Sequence, residues 1–362
     1  MTSEAFPATG MKFDPGESQV TEVTLENIAP GSVIIDVRSP NEFQQDHIPG
    51  AVNVPLLHDH ERTVVGTLYR EEGADAANRW ATEAVEQRIS TFLKQLTDPL
   101  APGRATVICC ARGGDRSGNV VQFLKQHGIA SDRLVGGYRS YRKSVMSTLE
   151  QIDIPSLWVL DGLTGAGKTS VLHQLREQYP DRILDLEAYA GHRSSRLGDV
   201  GTIPKSQKEF ESLLAHDFQA LDRSAPWILI EGESRKVGNR QIPQSLWFQM
   251  QQAPRIELVL GIEERARLLV EEYRTDAGWG ALIERVDSLR CYEVLGDRGV
   301  DEIQSLLVAG DPHRAAVILL QNHYDPRYVH GNEGRDYRYR VEQPGPAEAA
   351  REIARLLPVE PI

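Results

Sequence analysis

The sequence predicts an α/β protein made of two units, each a parallel sheet covered by helices. Three observations carry this. Short apolar runs alternate with stretches at helical spacing, the order of elements that a parallel sheet requires. The 362 residues exceed one ordinary domain. Two glycine-rich loops, near residues 113 and 165, each follow an apolar run and precede a helical pattern.

Residues 1–19 read as an N-terminal extension. They lack a basic head and an apolar core, so no secretory leader is expected. The first unit spans 20–148. In it "GSVIIDVRS" (31–39) is a buried strand around Val33, Ile34 and Ile35, and "IPGAVNVP" is a second extended piece. From Ala74 to Leu96 the apolar residues fall at helical spacing. "RATVICC" is the next strand, "SGNVVQFLKQHGI" a helix stopping at Gly128, and "DRLVGGYRSYRKSVM" a last strand and helix. The second unit spans 149–362. It opens on the strand "LWVLDG" and continues with strands in "PWILIEGES" (226–234) and "RIELVLGI" (255–262). A helical region over about 263–321, a tyrosine- and arginine-rich segment and a short helical tail follow.

Composition narrows the class. With 40% hydrophobic residues the chain can build real cores, and no run of about 18 apolar residues predicts a membrane span. Three cysteines, Cys109, Cys110 and Cys291, are too few for a disulfide framework, so a reducing, cytoplasmic location is expected. No cysteine–histidine spacing suggests a structural metal. The net charge of −12 argues against nonspecific nucleic-acid binding, so any RNA contact must use a local basic surface.

"LDGLTGAGKTSVLHQL" carries G-x-x-x-x-G-K-[ST] as Gly162, Gly167, Lys168 and Thr169, between an apolar strand and a periodic helix. Gly162, Thr164, Gly165 and Gly167 let backbone N–H groups turn around a phosphate, and the helix N-terminus adds partial positive charge. Lys168 supplies a point charge, and Thr169 is the one position where the motif admits a metal, Mg²⁺. The later strand "WILIEG" ends in Glu231 where such folds often place a metal-holding aspartate. Either Glu231 substitutes, or the loop holds a phosphorylated ligand without hydrolysing it.

The other loop is Cys110-Ala111-Arg112-Gly113-Gly114-Asp115-Arg116. Its backbone N–H groups are expected to face the sulfur, while the next helix dipole, Arg112 and Arg116 favour the thiolate. Cys110 is therefore the candidate nucleophile, and Arg112, Gly113, Gly114, Arg116 and Ser117 the candidate anion seat. Cys109 belongs to the strand and reads as a small buried hydrophobe.

Asp36-Val37-Arg38, His47-Ile48-Pro49-Gly50-Ala51, this loop and "GGYRSYR" together resemble a rhodanese domain. The expected fold is then an N-terminal rhodanese-like domain followed by a P-loop NTPase-like domain with a helical C-terminal region. In such a domain Asp36 and Arg38 would support the loop. Sulfur-carrying rhodaneses usually have a loop one residue shorter. The seven-residue form is similar to that of rhodanese-like cell-cycle phosphatases, and it makes room for a phosphate-sized ligand. Those phosphatases usually carry a histidine where this chain has Cys109.

Along its length the chain resembles the tRNA 2-selenouridine synthase family, through "ERTVVGTLYREEGADAA", "CARGGDRS", "GGYRSYR", "LTGAGKT", "DLEAYAGHRSS", "SQKEFE", "EGESRKVG" and "YDPRY". Asp115 departs from that pattern, which leads one to expect an apolar residue such as methionine. The resemblance implies a transferase that turns the wobble 2-thiouridine (position 34) of tRNA into 2-selenouridine. Geranyl diphosphate first alkylates the sulfur, and selenophosphate then supplies selenium. It places selenophosphate at the Cys110 loop, where the cysteine would form or pass a selenium adduct, and the prenyl diphosphate at the P-loop. His192, Arg193, Ser194, Glu231, Glu233, Ser234 and Arg235 are expected to meet tRNA or support the site. The implied partners are tRNAs for lysine, glutamate and glutamine, with selenophosphate synthetase as selenium supplier and no tightly bound cofactor.

Arginines and tyrosines suited to phosphate contacts and base stacking recur at Arg193 and Arg196, at Arg235, Lys236 and Arg240, and through Arg327, Tyr328, Arg335, Tyr337, Arg338, Tyr339 and Arg340. The rival readings are a P-loop kinase or ATPase with a regulatory rhodanese module, a binding protein with an inert rhodanese domain, and a phosphatase. The intact cysteine, glycines and arginines disfavour the second, and the missing histidine disfavours the third.

Overall fold

Five short strands form the first sheet: β1 (Glu22–Val23), β2 (Val33–Asp36), β3 (Val52–Asn53), β4 (Thr106–Cys109) and β5 (Asp132–Leu134). Their spatial order is β1-β5-β4-β2-β3, and every pairing is parallel. This computed structural model describes residues 20–274, 278–291, 295–327 and 335–358. The chain divides into two compact units, Met1–Ser147 and Thr148–Ile362.

Around the first sheet lie α1 (Pro40–Gln45), α2 (Asp59–Glu71), α3 (Ala74–Glu86), α4 (Ile89–Thr97), α5 (Asp115–Gln126) and α6 (Gly137–Glu150). Ile35 and Ile108 from the central strands pack with Phe92, Leu96, Phe123 and Leu124 from the helices. The stretch from Ala74 to Leu96, continuous in its periodicity, is broken at Gln87-Arg88. There Arg88 turns its guanidinium onto Leu56 O and Glu61 Oε2, both at 2.8 Å, and leaves helical geometry to do so. Helix α2 escaped the sequence pattern because it has no fully buried residue.

The second unit contains β6 (Leu157–Gly162), β7 (Ile183–Leu184), β8 (Ile228–Glu231), the hairpin β9 (Lys236–Val237) and β10 (Arg240–Gln241), then β11 (Arg255–Val259) and β12 (Tyr339–Glu342). Its main sheet runs β12-β11-β6-β8-β7, parallel throughout. All six residues of β6 and all four of β8 are buried, as central strands covered on both faces must be. The strand order reverses at β6, which puts the ligand crevice of a doubly wound sheet at its carboxyl end.

Helices α7 (Lys168–Gln178), α8 (Leu186–Ala190), α9 (Gln207–Ala220) and α10 (Gln244–Gln252) accompany these strands. The helical region follows as α11 (Ile262–Tyr273), α12 (Gly280–Val286), α13 (Gly296–Val308) and α14 (Pro312–Leu319), which runs on into a wider turn over Leu320–Tyr324. These helices close around their own core of Leu282, Val286, Leu289, Val300, Ile303 and Leu307. The tail is α15 (Pro346–Leu356).

The tyrosine- and arginine-rich segment contributes to the second unit's main sheet, with Arg338 and Arg340 still exposed. It supplies the edge strand β12, with Tyr339 stacked on Trp158 at 5.7 Å between centroids and Arg340 paired with Glu257 at 2.7 Å. Arg335 reaches Asp161 at 3.2 Å beside Arg255 at 2.8 Å. Asp161 is 2% exposed, and a buried carboxylate in the central strand requires such partners. Tyr328 lies outside the described residues.

Candidate active site

The cysteine loop leaves the end of β4 and enters α5 through Gly114. Gly113 has φ +64°, and a Cβ there would stand 2.5 Å from Leu134 O and 2.7 Å from Gly136 N. The loop is clamped on the start of α6, where Tyr138 N donates to Cys110 O (2.8 Å) and Arg139 N to Ala111 O (3.0 Å). Behind the clamp, buried Arg38 binds Asp36 at 2.6 Å, donates to Asp46 O at 2.8 Å and lies 3.9 Å over the Tyr138 ring. The Tyr138 hydroxyl donates to Asp46 Oδ2 at 2.7 Å. Asp36 and Arg38 therefore reach the cysteine loop through Tyr138.

Cys110 is 2% exposed, with its sulfur 3.1 Å from the hydroxyl of fully buried Ser117. Burial pushes this thiol up. The Ser117 hydroxyl, the backbone N–H groups of Arg112 and Ser117, and the Arg116 charge outweigh it and bring the thiol below its ordinary value. Cys109 has the opposite fate: burial, helped by the Asp36 charge, pushes it well above the ordinary range. The two neighbours differ because one closes the strand and the other opens a ring of N–H donors. Arg112 is exposed, whereas Arg116 is held by Glu42 at 3.1 Å, and Arg62 approaches the same oxygen at 3.8 Å. Asp115 is exposed on the first turn of α5, where the helix dipole favours an acid.

In the second unit the glycine-rich loop follows β6. Gly167, at φ +85°, caps α7, Lys168 Nζ donates to Gly162 O at 3.0 Å, and Thr169 donates to Glu187 Oε2 at 3.0 Å. A cavity of about 750 Å³ opens over the loop. Thr164, Gly165, Gly167, Lys168 and Thr169 line it together with His192, Arg193, Ser194 and Glu233, so most residues expected here do meet. Arg193 serves the wall, pairing with Glu272 at 2.8 Å and lying 4.7 Å over the Tyr273 ring. His192 is wedged between Gly198 and Gly238, and burial lowers its basicity.

Four expected residues do not line the cavity. Gly162 closes β6 and meets the loop through its carbonyl, which accepts from Lys168 Nζ. Glu231 is fully buried beneath α8, where it accepts from the backbone N–H of Glu187 at 2.5 Å and does not line the cavity. Ser234 and Arg235 are exposed on the way to β9, and the Ser234 hydroxyl is turned to Lys236 O at 2.7 Å. The chain leaving β8 sends only Glu233 back into the cavity.

Glu187, Glu272 and His173 line the cavity without having been singled out in the sequence. Glu187 lies in "DLEAYAGHRSS", but nothing local marks its carboxylate as Thr169's partner, 18 positions away. Burial, then Glu233, push Glu187 up to about 8 against the pull of Lys168 and Thr169. Burial also raises Glu233 and Glu272. His173 faces the cavity with Nε2 3.0 Å from buried Asp185, a bond that raises its basicity.

A cysteine loop on one parallel sheet and a glycine-rich G-x-x-x-x-G-K-T loop on another define a rhodanese domain joined to a P-loop domain. Residues 21–144 match the rhodanese-like domain family, and residues 155–307 match the tRNA 2-selenouridine synthase AAA domain. The tRNA 2-selenouridine synthase of Pseudomonas syringae is 33% identical over 334 residues, covering 83% of this chain and 88% of that protein. That of Salmonella paratyphi A is 34% identical over 82% of this chain and 87% of its own length. For Nitrosomonas europaea the identity is 35% over 66% of this chain and 63% of the relative. The chain belongs to the tRNA 2-selenouridine synthase family of tRNA-modifying enzymes. Among the described residues, no helix is long and apolar enough to cross a membrane.

Proposed function

We propose that this protein converts the wobble 2-thiouridine of tRNA to 2-selenouridine in the cytoplasm, with one half-reaction assigned to each unit. At the P-loop, the thiouridine sulfur attacks C1 of geranyl diphosphate. The C1–O bond breaks, its electron pair leaves with diphosphate, an S–C1 bond forms, and the N3 proton of the base passes to diphosphate or water. Lys168 and the loop N–H groups stabilise the departing diphosphate. Thr169 and Glu187 offer two oxygen ligands for a Mg²⁺ ion. Among the described residues no group of three or more acidic, histidine or cysteine side chains could hold an ion alone, so phosphate oxygens and water would complete its shell. When bound, such an ion would supply charge neutralisation for the diphosphate.

At the cysteine loop, the Cys110 thiolate attacks the phosphorus of selenophosphate. The P–Se bond breaks to give hydroselenide and a phosphocysteine, which water hydrolyses to phosphate. Hydroselenide adds to C2 of the geranylated base, the C–S bond breaks, geranylthiolate leaves, the selenium proton moves to N3, and a C=Se bond remains. Taking selenium directly onto the cysteine sulfur would require oxidation of selenium, whereas attack on phosphorus leaves every oxidation state unchanged. Arg112, Gly113, Gly114, Arg116 and Ser117 make the phosphate seat. The observation that carries this reading is the lowered thiol of Cys110 inside a ring of N–H donors.

The expected substrates are the lysine, glutamate and glutamine tRNAs, with selenophosphate synthetase as supplier. The test is to incubate the protein with thiolated tRNA, geranyl diphosphate and selenophosphate and read the wobble nucleoside by mass spectrometry. Wild type should give selenouridine, and Cys110→Ala should stop at the S-geranyl nucleoside. Selenation that survives in Cys110→Ala would sink the assignment.

A further inference from the structure

A second, narrower cavity of about 40 Å³ opens beside the phosphate loop. It shares Thr164, Leu269, Tyr273 and Tyr324 with the larger cavity, so the two meet at the loop itself. Contact there is close. A Cβ on Gly165 would stand 2.9 Å from Leu269 Cγ, and one on Gly167 3.3 Å from Leu268 Cδ1. Arg265, one turn earlier on α11, fixes the junction by donating to Thr164 O at 3.1 Å while gripping Asp325 with two nitrogens at 2.8 and 2.7 Å. Away from the junction the walls are apolar, from Leu282 on α12, Leu307 on α13, and Ala315, Ala316 and Leu319 on α14. A void in a close-packed helical core is costly unless something fills it. This one opens onto a surface built for phosphate.

We propose that the slot seats the hydrocarbon tail of a diphosphate held on the phosphate loop, and that Ala315 and Ala316 on α14 set the length of tail accepted. This rests on the reading of the P-loop as a diphosphate site. A single water needs ~10–15 Å³ of such space, so the slot takes about three groups of that size. That is room for the branched end of a tail, with the rest lying along Leu268 and Leu269 in the larger cavity. A polar ligand would gain little, because among the described residues the slot's polar side chains are those of Thr164, Tyr273, Tyr324 and the Trp279 indole, and Tyr273 is already bonded to Ser195 at 3.1 Å.

The test measures binding of inorganic diphosphate and of five-, ten- and fifteen-carbon prenyl diphosphates to the full chain, in wild type, Ala316→Leu and Leu282→Ala. Each buried methylene contributes about fourfold in affinity. The ten-carbon ligand should therefore bind at least ~100-fold more tightly than inorganic diphosphate. Ala316→Leu, which fills the slot, should cost that ligand at least ~10-fold and leave inorganic diphosphate unchanged. Leu282→Ala, which widens it, should move the preference toward fifteen carbons. If inorganic diphosphate binds but a tail adds nothing, the slot proposal alone is overturned. The same holds if both variants keep the wild-type order of chain lengths. If inorganic diphosphate itself fails to bind, the diphosphate reading of the P-loop falls and the slot falls with it.

Discussion

Replacing Ser117 by alanine removes one oxygen from the surroundings of the Cys110 sulfur and little else. The hydroxyl is fully buried, 3.1 Å from Cys110 Sγ and 3.2 Å from Gly114 O. It has a single proton and cannot donate to both. With Cys110 protonated, Ser117 donates to Gly114 O and accepts from the thiol. With Cys110 ionised, it must turn its proton to the sulfur and give up the carbonyl. A hydrogen bond to a charged group contributes about 1.5–3 kcal/mol, and the surrendered neutral bond offsets about 1 kcal/mol. The difference corresponds to about one pKa unit. Ser117→Ala should therefore raise the Cys110 pKa by about one unit, with the N–H donors of Arg112 and Ser117 still lowering it. The assay is iodoacetamide alkylation against pH, read as the mass of the Cys110 peptide because Cys291 is also free and exposed. In both proteins reactivity rises with pH as the thiol ionises, and the inflection should lie higher in the variant. An inflection at or below that of wild type would refute the view that this hydroxyl holds the thiolate.

Glu42→Gln should act in the opposite direction. It releases Arg116 from its 3.1 Å pair, so the alkylation inflection should fall and inorganic phosphate should protect Cys110 at lower concentration; no change in either would show that Glu42 does not compete for Arg116. Arg255→Met should cost about 3 kcal/mol by removing the closer, buried partner of Asp161 and leaving that carboxylate only the half-buried Arg335, whereas Arg335→Ala should cost about 1 kcal/mol or less and leave tRNA affinity unchanged. Denaturant midpoints check the first pair of values and a filter-binding curve the last. Glu231 has a folded pKa well above 4.5, chiefly through burial and then Asp185, so its contribution to stability is full below pH 4.5 and is lost as pH rises toward the folded value. Glu231→Gln cannot ionise, so its melting temperature should exceed that of wild type by a margin that widens from pH 5 to pH 8, and a constant margin would contradict the assignment.

Both loops were legible because their chemistry is contiguous. The cysteine, glycines, arginines and serine of 110–117 are neighbours in sequence, and so are the glycines, lysine and threonine of 162–169. The fold class followed from the same cause, since the apolar runs of β4 and β6 lead directly into those loops. Partition of charge through space was not legible. Arginines that read as an RNA face are bound to acids far along the chain: Arg193 to Glu272, Arg335 to Asp161 and Arg340 to Glu257. Arg335 and Asp161 are 174 positions apart, and no local pattern marks such a pair. Glu187 escaped for the same reason, while Glu231 was noticed because it ends an apolar strand. The structure exchanges their places, Glu231 beneath α8 and Glu187 at Thr169.

The same logic accounts for Asp115, whose charge sits oddly in a loop that favours anions. The loop's positive character comes from N–H groups aimed at the sulfur and from Arg112 and Arg116, whereas Asp115 is exposed at the first turn of α5. A carboxylate there stabilises the helix whose N-terminus feeds the site, by about 0.3–1 kcal/mol. Glu42 imposes the stronger restraint, because it already pairs with Arg116, one of the arginines assigned to the proposed phosphate seat. On the proposed reading, a phosphate-bearing donor would have to draw Arg116 away from Glu42 to use it, so the Glu42→Gln protection assay reads that competition directly.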